Sequence, residues 1–140
     1  MAQIPMTQIR IMIVENQGIV ALDIQGKLER MGYEVPVVVS SGEEAIQKAE
    51  EIHPDLILMD IQLQGDMDGV VAAKQIRDRL SIPVIYLTAL SEYSTVQRVK
   101  MTQPLGYIVK PFEEEELRTT IEQALFKHKE EGGRSQGPRE

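Results

Sequence analysis

The run Asp55-Leu56-Ile57-Leu58-Met59-Asp60 constrains the fold more than any other stretch of the chain. Its apolar residues follow one another without a polar side, so a strand built from them has to be covered on both faces, as parallel-sheet strands are. The run stops abruptly on Asp60 and breaks into Ile61-Gln62-Leu63-Gln64-Gly65-Asp66-Met67-Asp68-Gly69. In open α/β sheets ligands gather beyond the carboxyl ends of the strands. Asp60 stands at that edge and is the candidate reactive group.

The rest of the chain supplies the cover. Ile9 to Val14 reads as a strand ending on Glu15-Asn16. Gln17 to Met31 carries Ile19, Val20, Ile24, Leu28 and Met31 close to helical spacing, with Gly32 as its stop. Glu34 to Val39 is a second strand, and Pro36 favours an edge position, where a missing N–H is tolerated. Ser41 opens the next helix with a Ser-x-x-Glu capping box to Glu44, and Ala45, Ile46 and Ala49 give it an apolar face. Beyond Asp60, Val70 to Leu80 sets a stripe of Val70, Val71, Ala73, Ile76 and Leu80 against a charged face of Lys74, Arg77, Asp78 and Arg79. Pro83 to Leu87 is a fourth strand ending on Thr88-Ala89. Ser91 to Met101 is a weakly patterned helix, expected to be exposed and mobile, and Pro104 ends it. Leu105 to Val109 is a fifth strand ending on Lys110-Pro111-Phe112, and a last helix runs from Glu113 to about Lys129. Acids at its start and lysines at its end suit the helix dipole.

Strands alternating with helices imply an α/β fold: a doubly wound parallel sheet of five strands with right-handed crossovers and helices on both faces. One domain over residues 9–129 is expected, between an N-terminal extension (1–8) and a disordered tail or linker (130–140) rich in Gly, Arg and Glu. All strand C-termini of such a sheet share one rim. Glu15-Asn16, Asp60, Thr88 and Lys110 all fall there, which scattered polarity would not produce.

Composition excludes several classes. At 140 residues with 42% apolar content, the chain can build a real core. No apolar run approaches the roughly 18–20 residues of a spanning helix, and Met1 to Arg10 lacks the pattern of a signal peptide. The absence of cysteine excludes disulfides and thiolate metal sites and fits the cytoplasm. A net charge of -7 argues against nucleic acid as a partner. His53 and His128 stand apart in sequence and read as surface or helix-cap residues. Asp66-Met67-Asp68-Gly69 lacks the acids a calcium loop needs at Gln64 and Gln75.

Carboxyl and amide oxygens on adjacent strand ends suit Mg²⁺, which takes one or two carboxylates and keeps several waters. A lysine and a hydroxyl across the rim could then receive a phosphoryl group on a carboxylate, an established nucleophile. In order and spacing, Glu15-Asn16, Leu58-Met59-Asp60, Asp68-Gly69, Leu87-Thr88-Ala89 and Gly106-Tyr107-Ile108-Val109-Lys110-Pro111-Phe112 resemble the response-regulator receiver domain of two-component signalling, a chemotaxis-regulator-like fold. The resemblance covers Ile9 to about Lys129. It implies a flavodoxin-like (βα)5 sheet of order 2-1-3-4-5. It also implies Asp60 as phosphoacceptor from a sensor histidine kinase or phosphotransfer protein, with Mg²⁺ held by Glu15, Asn16, Asp60 and the main-chain carbonyl of Gln62. Lys110 would pair with the phosphoryl oxygens. Thr88 and Tyr107 would act as the switch that reshapes a partner-binding face made by the fourth helix, fifth strand and fifth helix (α4-β5-α5). The Lys110-Pro111 bond would be cis, and the protein a phosphoacceptor in the cytoplasm rather than an enzyme, as a monomer or weak homodimer.

Two features depart from the family pattern. Asn16 stands where a second acid is usual, which removes one negative charge and predicts weaker Mg²⁺ binding. The loop after Asp60 is one residue longer than the commonest form and lacks its proline, which makes Asp66 a candidate further acid reaching the metal through water. The missing acid also motivates an alternative, a pseudo-receiver that binds proteins without being phosphorylated. A flavin or nucleotide carrier of related fold is disfavoured by the absence of a Gly-rich phosphate loop.

Overall fold

Strand alternation builds the two faces of the sheet. The computed structural model describes residues 8–89 and 106–136. In chain order it contains β1 (Ile11–Val14), α1 (Gly18–Arg30), β2 (Val38–Val39), α2 (Gly42–Ile52), β3 (Leu56–Asp60), α3 (Gly69–Leu80), β4 (Val84–Ala89), β5 (Gly106–Lys110) and a C-terminal helix (Glu114–Gln136). The strands pair in parallel in the order β2-β1-β3-β4-β5, as the alternation of elements predicts. Met12, Val14, Ile57, Met59, Val84 and Tyr86 point to one face and pack with Ala45 and Ala49 of α2 and Val70, Ala73 and Ile76 of α3. Their neighbours Ile11, Ile13, Leu56, Leu58, Ile85, Leu87 and Ile108 point to the other and pack with Ile24 and Leu28 of α1 and with Leu117, Ile121 and Ala124 of the C-terminal helix. Burying one such aliphatic side chain contributes about 1.5–3 kcal/mol. Two full layers of them hold the strand ends of the rim in fixed relation.

The helix ends follow local chemistry. At the end of α1, Gly32 takes φ +97, with Gly32 N–H on Glu29 O at 3.0 Å and Tyr33 N–H on Leu28 O at 3.0 Å. That pair of bonds is a Schellman closure. Ser41 caps α2 by accepting the Glu44 N–H at 3.2 Å, but the returning bond goes to Ser40, whose N–H meets Glu44 Oε1 at 3.2 Å. The expected box is therefore displaced by one residue. Asp68 caps α3 through the Val71 N–H at 3.0 Å. His53 fills the cap role expected of it, closing α2 in the left-handed region at φ 46, and Ser81 closes α3 in the same way at φ 59.

The structure corrects several expectations. The second strand shrinks to Val38–Val39, with Glu34 making only an isolated bridge to Arg10, because Pro36 interrupts the ladder. Ile19 is 84% exposed and Val71 is 41% exposed, so neither belongs to the core stripe of its helix; Ala21 and Ala72 take the buried places. The last helix runs on through Gln136 into the segment expected to be a disordered tail. Lys129, Glu130 and Glu131 are good helix formers, and no proline intervenes before Pro138. The helix expected over Ser91–Met101 lies outside the described residues, as do residues 1–7 of the N-terminal extension and 137–140 of the tail.

Candidate functional site

The rim beyond β1, β3 and β5 gathers three charged side chains in one buried spot. Glu15 is 2% exposed and Asp60 5%, a degree of burial that carboxylates reach only with partners. Lys110 supplies the partner to both, its Nζ donating to Asp60 Oδ2 at 3.1 Å and to Glu15 Oε1 at 3.2 Å. The remaining oxygens are held by the main chain: Gln62 N–H donates to Asp60 Oδ1 at 3.2 Å and Gln17 N–H to Glu15 Oε2 at 3.1 Å. Each carboxylate is thus pinned at both oxygens before any ligand arrives.

Alternation explains why these three residues meet. Glu15, Asp60 and Lys110 each lie an even number of positions from residues of the face packed on α1 and the C-terminal helix: Ile13, Leu58 and Ile108. Ala89 pairs with Lys110 in the β4–β5 register, and its small side chain lets the lysine reach past β4 to β3. Thr88 lies on the opposite parity, with Tyr86. It is buried, and its hydroxyl donates to the Ala89 carbonyl at 3.3 Å.

The electrostatics are those of an underbalanced cluster. Burial, and then the neighbouring Glu15 carboxylate, push the Asp60 pKa up to about 6, while Lys110 pulls it down. Burial also works against the Lys110 ammonium, yet Asp60 and Glu15 hold its pKa above the ordinary lysine value. Two carboxylates facing one ammonium leave an excess negative charge in a poorly solvated place, which a divalent cation would relieve. Among the described residues no group of three or more His, Cys, Asp or Glu side chains gathers as a metal set. The protein therefore offers two carboxylates and neutral oxygens, a hard and sparse donor set that fits Mg²⁺ with its waters.

The other residues singled out in the sequence occupy distinct places. Asn16 is half-buried beside Glu15, and Gln62 is exposed just past Asp60. Asp66 is exposed on the longer loop. That loop leans on the start of α2, where Gln64 N–H meets Ser40 O at 3.4 Å and Ser41 bridges Gln64. Tyr107 is 42% exposed on β5, over a groove of about 500 Å³ that it shares with Glu113, Glu116 and Thr120. The Lys110-Pro111 bond is cis. Sequence reasoning placed Asp68-Gly69 among the residues that carry the resemblance but gave Gly69 no role of its own. Its N–H donates to Ile61 O at 2.7 Å and closes the loop directly behind Asp60. The sequence carries only the Asp68-Gly69 pair ahead of an apolar helix; the close approach behind Asp60 shows in the fold alone.

Comparison with known proteins bears on the family and the fold. The family model described as the response regulator receiver domain matches residues 11–122. The transcriptional regulatory protein PdtaR of Mycobacterium tuberculosis is 33% identical over 121 residues, 86% of this chain and 58% of that protein. The chain spans about half the length of curated relatives that it matches. Among solved structures, the signal receiver domain of a modulated diguanylate cyclase from Desulfovibrio desulfuricans superposes with a TM-score of 0.84 at 36% identity, covering 89% of this chain and 99% of that one. The receiver domain of a sensor histidine kinase from Pseudomonas aeruginosa, solved with a magnesium ion coordinated in its active site cleft, gives 0.77 at 29% identity over 85% of this chain and 98% of that one.

Proposed function

The chain belongs to the response regulator receiver domain family, and from that premise we propose that it accepts a phosphoryl group on Asp60 in a Mg²⁺-dependent reaction and switches a partner-binding face. The donor is the phosphohistidine of a sensor histidine kinase or phosphotransfer protein. An Asp60 carboxylate oxygen attacks phosphorus, the P–N bond breaks with its electron pair passing to the imidazole nitrogen, and an acyl phosphate forms on Asp60. Hydrolysis of that bond by water restores the carboxylate, so the protein acts as a signal acceptor and not as an enzyme on a separate substrate.

The observation that carries the reading is the buried Asp60–Lys110–Glu15 contact, with Lys110 Nζ 3.1 Å from Asp60 and 3.2 Å from Glu15. Lys110 is already within reach of any oxygen added to Asp60 and needs only to exchange one carboxylate partner for a phosphoryl oxygen. Glu15, Asn16, Asp60 and the Gln62 main-chain carbonyl would hold Mg²⁺. Bound there, the ion supplies positive charge to the transferring phosphoryl oxygens. Thr88 turns its hydroxyl from the Ala89 carbonyl toward the phosphoryl group, and Tyr107 changes rotamer with it. That movement alters a face that includes β5 and the C-terminal helix, where a downstream protein docks. Among the described residues no helix is long and apolar enough to cross a membrane.

Incubating the chain with a small acyl phosphate and Mg²⁺ tests the reading by intact mass. One added phosphoryl group is expected, lost with EDTA and lost in Asp60→Asn. No added mass in the wild type, or a gain that survives Asp60→Asn, overturns it; a folded chain without uptake would return the pseudo-receiver.

A further inference from the structure

We propose that Gly69 is a positioning residue for the phosphoacceptor, kept without a side chain so that the start of α3 can press against the peptide that follows Asp60. The inference rests on the role assigned to Asp60. A Cβ built on Gly69 would stand 2.1 Å from the Asp60 carbonyl oxygen, 2.9 Å from Ile61 Cα and 3.0 Å from the Asp60 carbonyl carbon. All three are main-chain atoms, which cannot swing aside as the end of a side chain can. Conformational freedom is not the reason for glycine here, because the positive-φ glycines among the described residues are Gly32 and Gly65. The requirement is space.

The space is occupied by the segment that carries the site. Gly69 N–H holds Ile61 O at 2.7 Å from one side, and Ile61 N–H holds Leu87 O at 3.2 Å from the other. Gln62, whose carbonyl is an expected metal ligand, follows directly and donates its N–H to Asp60 Oδ1. Any side chain at position 69 therefore displaces the Asp60–Gln62 main chain. With it move the carboxylate's distance to Lys110 and the aim of the Gln62 carbonyl. A misplacement near 1 Å can cost about 10²-fold in rate.

Gly42 supplies the control. A Cβ there would meet Met67 Cγ and Sδ at 3.0 Å and Ala72 Cβ at 3.1 Å. Its burden falls on side-chain atoms, the flexible end of Met67 in the loop and Ala72 of α3, and not on the Asp60–Gln62 main chain. In the full chain, Gly69→Ala is expected to move the Gln62 amide resonance in metal-free protein, to weaken Mg²⁺ binding in an amide-shift titration, and to slow uptake from acetyl phosphate at least about tenfold. Gly42→Ala is expected to lower thermal stability while leaving all three unchanged. A folded Gly69→Ala with wild-type uptake and Gln62 shift overturns the proposal. So does a Gly42→Ala variant with the same losses. Should Gly69→Ala fail to fold, Asp68→Ala loosens the same turn by removing the cap on Val71 N–H. A smaller loss of uptake, restored by the capping variant Asp68→Asn, is expected, and unchanged uptake in Asp68→Ala overturns the proposal. If the wild type itself takes no phosphoryl group, the assigned role of Asp60 fails, while the Gln62 resonance still reports whether Gly69 sets that main chain.

Discussion

At the scale of single residues, burial beside Glu15 costs stability at Asp60, the proposed phosphoacceptor. An acid whose folded pKa is raised binds its proton more tightly in the folded state. Its contribution to stability therefore declines as pH rises from its unfolded value, near 4, to about 6, and stays constant above that. Asp60→Asn removes the titration. In metal-free protein the variant is expected to gain roughly 1–3 kcal/mol over wild type at pH 7–8, with the gain vanishing toward pH 4. Urea denaturation at a series of pH values checks this, and a gain independent of pH would contradict the raised pKa. Asn16 tests the other side of the rim. Asn16→Asp restores an acid beside Glu15, and Mg²⁺ affinity measured by calorimetry is expected to rise about tenfold, the change one added nearby charge produces at an effective interaction of about 1.4 kcal/mol.

Among the elements, what the sequence displayed and what it concealed divide along a physical line. The strand cores were legible because fully apolar runs such as Leu56–Met59 have few folds open to them, and the polar residues ending them were legible as a shared rim. The ends of α1 and α3 were legible at Gly32 and Leu80, whereas the left-handed conformation of the caps His53 and Ser81 was not, since such a conformation in a non-glycine residue is imposed by tertiary packing. Ile19 and Val71 were misplaced because helical spacing fixes a face only to within a residue, and the sheet decides which neighbour it covers. The double contact of Lys110 with Glu15 and Asp60 joins residues far apart in sequence, so spacing carried no distance for it. Their shared place on the rim of strand ends foreshadowed it, and the common parity of the three with Ile13, Leu58 and Ile108 explains it. Local capping, by contrast, is separable from the site: Ser41→Ala is expected to lower stability by about 1 kcal/mol in chemical denaturation and to leave phosphoryl uptake unchanged.

For the whole molecule, ligand binding and folding share one equilibrium. On the proposed reading Mg²⁺ binds the assembled rim and not the unfolded chain, so a concentration 100 times the dissociation constant is expected to stabilise the protein by about 2.7 kcal/mol. The rise in Tm with Mg²⁺ is expected to be abolished in a Glu15→Gln, Asp60→Asn double variant, and thermal melts with and without EDTA read it directly. A Tm that responds equally in both proteins would assign the effect to ions at the acidic surface instead.

The parity that brings Glu15, Asp60 and Lys110 together also acts as a reading frame. A strand turns every following side chain to the opposite face when one residue is added or lost. An insertion within β1, β3 or β5 would therefore exchange a charge for a neighbouring apolar side chain and erase the cluster, even with the composition of the sheet nearly intact. Loops obey no such count. The extra residue of this chain lies in Gln64-Gly65-Asp66, where Gly65 turns at φ +87 and Gln64 rests on Ser40, outside every strand. A residue added or lost there leaves the phase of the charges upstream unchanged.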